Sequence, residues 1–195
     1  MKRIGIYSGM FNPVHAGHLS FALQSVSAAG LDKIYFMPER YKKGKQDVAH
    51  YAHRVAMLRQ AIKPYKHLGL IESNEISFTV EKTLPKLQHQ FKHAKLVFLF
   101  GSDSLMGMDK WPNIEQLLKS SGLVIGVRNG KFFETDQAIQ KLPYMPKDLF
   151  VLPSFASEVS SNKIREALRL SQEAEGTLTS VKRYSNQNWL YISLA

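Results

Sequence analysis

The chain contains no cysteine, which excludes disulfides and thiolate metal sites and leaves oxygen and imidazole as the ligands for any metal. No apolar stretch reaches membrane-spanning length, and the apolar run behind Lys2 and Arg3 is too short for a signal peptide. A cytoplasmic protein without a membrane partner is therefore expected. Acidic residues are scarce: 16 Asp+Glu stand against 26 Lys+Arg, a formal charge of +10. That excess attracts polyanions, whether nucleic acid, an acidic surface or a phosphate-rich small molecule. The basic residues are scattered, apart from a cluster at Arg40, Lys42, Lys43 and Lys45, and the long runs of a nucleic-acid arm are missing. Internal repeats, low-complexity segments and obvious linkers are missing too.

What remains is an ordinary globular composition, 44% hydrophobic and 22% charged over 195 residues, enough for one domain spanning 1–195. Short apolar runs recur at Ile4 to Tyr7, Ile34 to Met37, Leu68 to Ile71, Leu96 to Phe100, Leu123 to Val127 and Leu149 to Leu152. Between them lie stretches with helical spacing, such as His18 to Ala29 and Arg54 to Ile62. Strand and helix alternate, so the pattern predicts an α/β fold: a Rossmann-like open parallel sheet with helices on both faces. Several runs are continuously apolar, as strands covered on both sides should be. Segments 38 to 50 and 128 to 148 read as loops or loops with short helices. Part of the chain from about residue 155 onward is expected to dock on the sheet, and Trp189 to Leu194 are apolar enough to do so.

In open sheets of this kind ligands bind beyond the carboxyl ends of the strands, so the residues after each run deserve inspection. After the first comes "SGMFNPVHAGH", residues 8–18. Gly9 permits a sharp turn or a close approach by a ligand. His15 and His18 stand at the start of a helix, where both rings can face one side near the positive end of its dipole, a natural place for phosphate. Two imidazoles could also serve a metal, although neither a cysteine nor an evident third ligand accompanies them. The fourth run is followed by "GSDSL", Gly101 to Leu105, which suits a ribose or a magnesium-bearing phosphate and equally suits a plain capped turn. In "SSNKIREAL", Ser160, Ser161 and Arg165 collect hydroxyls, helix-start N–H groups and a guanidinium, a second anion site or a simple serine cap. Trp111 reads as a core anchor or as a platform for a flat ring. Arg128 follows the fifth run.

Taken together these stretches resemble the HxGH-type nucleotidyltransferases, most closely the nicotinate/nicotinamide mononucleotide adenylyltransferases. "SGMFNPVHAGH" is similar to the family's G-G-S/T-F-D/N-P-x-H-x-G-H, "GSDSL" to its G-A-D-S-L and "VSSNKIR" to its I-S-S-T-x-I/V-R. "AHRVAMLRQAI" is similar to its H-R-x-x-M-L segment and "KWPNIEQLL" to the segment carrying its tryptophan. The resemblance implies transfer of AMP from ATP to a pyridine mononucleotide with release of pyrophosphate, and Mg²⁺ carried mainly on the ATP phosphates instead of by protein ligands. It also implies roles. His15, His18 and Arg165 would be catalytic; Gly9, Met10, Phe11, Asn12, Gly101, Asp103, Ser160 and Ser161 would join them in binding ATP. Lys43, Trp111, Arg128 and Asp103 would bind the mononucleotide.

The sequence departs from the pattern. Met10 stands where the family has a serine or threonine, and Asn162 replaces a threonine. After the second run "ERYKKGKQDVAH" replaces the bacterial P-P-H-K and, through Tyr41, Lys42 and Lys43, looks more like the dual-specificity eukaryotic type. After the third, "ESNEISFTVEKTL" keeps Ser77 and Thr79 but lacks the arginine and glycine of R-x-G-x-S-Y-T. Nicotinate and nicotinamide both stay open as the base. So do a different phosphorylated acceptor, a nucleotide-binding member that has lost catalysis, and a homo-oligomer. An RNA-binding module is the rival from another class, since HAGH also resembles the HIGH of class I aminoacyl-tRNA synthetases. Against it, no K-M-S-K-S-like segment is present and the chain is too short to add a tRNA-reading domain.

Overall fold

The computed structural model describes residues 1–41, 44, 48–153 and 159–192. From the N-terminus the chain runs β1 (Lys2–Gly9), α1 (Ala16–Ala28), β2 (Lys33–Pro38), α2 (Tyr51–Ile62), β3 (Leu68–Leu70), α3 (Val80–Gln90) and β4 (Ala94–Gly101). It continues through α4 (Ser102–Leu105), a short 3-10 turn at Met108–Lys110, α5 (Ile114–Ser120), β5 (Gly122–Val127), α6 (Phe132–Gln140) and β6 (Leu149–Pro153). Two helices close the described chain, α7 (Ser161–Arg169) and α8 (Thr179–Gln187). All six apolar runs form strands, each within two residues of its expected ends.

The strands make one sheet in the order β3-β2-β1-β4-β5-β6, every pair parallel. The chain moves outward from β1 to β3 and then crosses back to β4 on the other side of β1. That reversal opens a crevice above the carboxyl ends of β1 and β4, the place where nucleotides bind in this topology.

The unbroken apolar run of β4 is explained by two cores, one on each face. Val97 and Leu99 join Tyr7, Ile34, Phe36, Leu58 and Val124 beneath α1, α2 and α8. Leu96, Phe98 and Phe100 join Ile6, Leu84, Leu117 and Ile125 beneath α3, α5 and α6. Successive side chains point to opposite faces, so a strand covered on both must be apolar at every position. At the amino ends of the strands, Asp148 takes ion pairs from Arg3 at 2.8 Å and Lys95 at 2.7 Å.

The C-terminal segment departs in part from expectation. Leu190 and Tyr191 pack on the first core, but Trp189 is 77% exposed. Left-handed backbone at Trp189 (φ 52°) and Tyr191 (φ 63°) turns Tyr191 inward and Trp189 outward. Among the described residues no helix is long and apolar enough to cross a membrane.

Candidate active site

Helix α1 begins two residues earlier than the apolar spacing suggests, at Ala16, with His15 as its N-cap and His18 in its first turn. The two rings lie 3.7 Å apart, tilted by 31°. The His15 backbone N–H donates to His18 Nδ1 at 3.3 Å, which leaves the His18 proton on Nε2 as a donor. His15 is only 2% exposed. Burial, with the Arg128 charge adding to it, pushes its pKa down to about 3. His18 is likewise held well below the usual value of 6.5 by burial, by His15 and by Arg128. Both rings are therefore neutral at pH 7, N–H donors at the positive end of a helix with no carboxylate in its first turn.

The depressed His15 value has a measurable consequence. Below pH 6.5 the unfolded chain takes up a proton that folded His15 refuses, so stability is lost as pH falls from 6.5 toward 3. Between pH 7 and pH 5 this group alone should remove about 2 kcal/mol. Urea unfolding at the two pH values should show a smaller loss in His15→Asn than in the native chain; an equal loss would show that His15 does not resist protonation.

The turn before the histidines is built differently from the sequence expectation. Gly9 does not supply the left-handed residue; Phe11 does, at φ 46°. Its ring folds back beneath the turn against Tyr7, Phe36 and His18, with centroids 5.3, 5.2 and 5.1 Å away. A Cβ on Gly9 would sit 3.2 Å from that ring, so the glycine makes room for Phe11. Phe11 and Asn12 are both buried, and the loop presents backbone to the crevice.

Helix α7 is lashed to this loop. Ser161 Oγ donates to the Pro13 carbonyl at 2.9 Å, and Arg165 Nη1 donates to the Asn12 carbonyl at 2.9 Å. Ser160 is the N-cap, accepting from the Lys163 N–H at 3.2 Å. The serine cap is thus realised at Ser160 alone, while Ser161 and Arg165 make ties that bring the start of α7 against the loop before α1. Two helix N-termini from opposite ends of the chain converge on one crevice.

Their meeting encloses a cleft of about 730 Å³, within the usual size of a ligand site. Gly9, Met10, Phe11, Asn12, His15 and His18 line it, as do Ser160, Ser161 and Arg165 across from them. Gly101, Asp103, Trp111 and Arg128 line it as well. A Cβ on Gly101 would meet nothing within 4 Å, so that position faces open space. Arg128 lies 3.9 Å from the exposed Asp103, and its N–H donates to Ser102 Oγ at 3.3 Å. The setting of Trp111 is compatible with both of its readings: it packs perpendicular to Phe100 at 5.4 Å and neighbours Phe78 at 6.3 Å, and it also borders the cleft. Lys43 lies outside the described residues.

Four cleft-bordering or cleft-supporting residues had drawn no role from the sequence. Glu39, at the exit of β2, lines the cleft and accepts from Ser8 Oγ at 2.9 Å. Phe78 lines it on the segment before α3. Tyr191 donates from its hydroxyl to Asn12 Oδ1 at 2.8 Å, across 179 positions of sequence. Arg54 is buried beneath the loop; it is the arginine of the segment that resembles H-R-x-x-M-L, where no role was drawn for it, and it shares the inward stripe of α2 with Val55, Leu58, Ala61 and Ile62.

Parallel strands in this order, with a histidine pair at the first helix and an arginine helix facing it, define a Rossmann-like nucleotidyltransferase. The cytidylyltransferase-like family model matches residues 6–167, and the chain belongs to that family. A nicotinate-nucleotide adenylyltransferase of Bacillus subtilis is 35% identical over 200 residues, covering 99% of this chain and all of the relative. The nicotinic acid mononucleotide adenylyltransferase of Plasmodium falciparum, solved in complex with NaAD, superposes over the full length of both chains with a TM-score of 0.82 at 19% identity. The same enzyme solved with APC gives 0.80.

Proposed function

We propose that the protein transfers AMP from ATP to a pyridine mononucleotide, giving the dinucleotide and pyrophosphate in NAD biosynthesis, with nicotinate mononucleotide as the preferred acceptor. One observation carries the reading: the His15–His18 pair and the start of the Arg165 helix line the same cleft as the Trp111 and Phe78 rings. A triphosphate and a flat base each find matching chemistry there, and the names of the relatives favour nicotinate.

The reaction asks little of a base. The acceptor's phosphate is already anionic near neutral pH; its oxygen attacks the α-phosphorus, the α–β bridging bond breaks, and the electron pair leaves with pyrophosphate. What the protein must supply is alignment of two anions and donors for the charge that builds on the α-phosphate and leaving group. His18 Nε2–H would meet the α-phosphate, with His15 beside it. Ser160, Ser161 and Arg165 would hold the outer phosphates at the α7 start. Gly101 and Asp103 would border a ribose, Trp111 would stack on the pyridine, and Arg128 would add charge between the two anions. Met10 keeps the backbone N–H of the loop and gives up only a hydroxyl.

Among the described residues no three His, Asp or Glu side chains gather into a metal site. The cleft instead offers imidazole, hydroxyl and guanidinium donors, with carboxylates only at Glu39 and Asp103. Such a donor set fits Mg²⁺ that enters on the triphosphate, since this ion keeps phosphate and water ligands. It would neutralise charge on the departing pyrophosphate.

The test is pyrophosphate release from ATP and Mg²⁺ with nicotinate and nicotinamide mononucleotides in parallel, the product identified by chromatography. Turnover with nicotinate mononucleotide at least ~10-fold more efficient is expected, a difference of about 1.4 kcal/mol between the two bases. Comparable rates would assign dual specificity, and no turnover with either by folded, ATP-binding protein would overturn the reading.

A further inference from the structure

Among the described residues Arg54 is the largest fully buried side chain, 1% exposed. A buried cation is costly unless its donors are matched, and here they are matched by backbone carbonyls. Nε donates to the Ala49 carbonyl at 3.0 Å, Nη1 to those of Met10 at 2.5 Å and Glu39 at 2.8 Å, and Nη2 to that of Arg40 at 3.1 Å. Four of the five guanidinium N–H bonds are spent on three separate pieces of chain.

Those pieces are the two halves of the cleft. Met10 begins the loop whose Asn12 and Pro13 carbonyls hold Arg165 and Ser161. Glu39 and Arg40 begin the segment after β2, where the Arg40 and Tyr41 N–H groups both donate to the Ile76 carbonyl beside Ser77 and Phe78. Ala49 closes the circuit, because its N–H donates to Asn12 Oδ1 at 3.1 Å. Arg54 therefore sits at the node joining the phosphate-facing loop to the aromatic wall. A leucine there would leave four carbonyls unanswered, and a lysine, with a single ammonium on a flexible stem, cannot span them as a planar fork does.

We propose that Arg54 is a positioning residue for AMP transfer: its guanidinium fixes the loop at Met10 to Asn12 against the segment at Glu39 to Tyr41, and so sets the two substrates in line. The proposal rests on the adenylyl-transfer reading for its kinetic test, though not for its structural one. It touches neither substrate; it acts through the backbone that does. Because misalignment of about 1 Å can cost ~10²-fold in rate while leaving each binding contact in place, loss of the clamp should fall on turnover more than on the affinity for one substrate alone.

The experiment compares the native chain with Arg54→Lys, and with Arg54→Gln should the lysine variant fail to fold. Two quantities are read: the ratio of kcat to ATP affinity, the latter measured without acceptor, and amide hydrogen exchange at residues 10–12 and 39–41 relative to α7. The expected result is a kcat at least ~10-fold lower with ATP affinity within ~3-fold of native, and faster exchange in both loop segments with α7 unchanged. A folded variant that melts earlier, turns over within ~2-fold of native and exchanges at the native rate in both segments would confine Arg54 to stability and overturn the proposal. If the native chain itself transfers no AMP, the adenylyl-transfer reading fails, and exchange in the two segments still decides whether Arg54 clamps them.

Discussion

Replacing His18 with alanine should lower kcat by at least ~10²-fold, the usual cost of removing one donor aimed at developing charge, with little change in the melting temperature. Protonation decides which atom of the ring can act. His18 is held neutral by burial, by His15 and by Arg128, and its Nδ1 accepts from the His15 backbone. The one polar atom left to face the cleft is Nε2–H. In the ground state that donor would meet an α-phosphate whose charge is shared among its oxygens; as the new bond forms, charge would accumulate where the donor points. Its contribution therefore grows toward the transition state and appears in kcat instead of KM. Folding should suffer far less than turnover: the Phe11 ring loses its contact with His18 but keeps Tyr7 and Phe36, alanine is a good helix former in the first turn of α1, and the His15 N–H it frees borders the cleft, where water can take it. Steady-state kinetics with a parallel thermal melt checks both halves. Turnover near the native rate would remove His18 from the reaction.

How far the sequence carried the structure depends on the range of each signal. Strands such as Leu96 to Phe100 announce themselves because burial on both faces leaves nothing but apolar residues, and the alternation with helices then dictates a parallel sheet. The segments at Gly9 to His18 and Gly101 to Leu105, and Arg128, were legible as well, since each follows a strand at its carboxyl end, whereas Ser160, Ser161 and Arg165 were marked by helix-start chemistry. What could not be read were ties between distant polar groups. The Tyr191 hydroxyl on Asn12 spans nearly the whole chain, and no local period marks it. Arg54 falls in the segment that resembles H-R-x-x-M-L, but its role is invisible until its carbonyl partners are known; its place in the stripe with Leu58 and Ala61 hints only that it points inward. Phe11 was hidden for another reason. A bulky residue in left-handed backbone contradicts local preference, and only the pocket formed by Tyr7, Phe36 and His18 overrides it.

The dual setting of Trp111 makes its replacement the sharpest test of whether its ring receives the pyridine. Its ring is anchored edge-on against Phe100 and lies beside Phe78, so one side belongs to the core under α3 and α5 while another borders the cleft. Stacking of an aromatic base on such a ring is worth ~1–3 kcal/mol, which converts to roughly 5- to 150-fold in affinity. Trp111→Ala should therefore raise KM for the pyridine mononucleotide at least ~10-fold while the value for ATP stays within ~3-fold. Some stability will be lost with the Phe100 contact, so the melt alone does not discriminate; the split between substrates does. Trp111→Phe, which keeps an aromatic face, should recover most of the mononucleotide affinity. If both substrates weaken equally in the alanine variant, and phenylalanine restores only the melting temperature, Trp111 is a core anchor and the base lies elsewhere in the cleft, with Phe78 the next ring to replace.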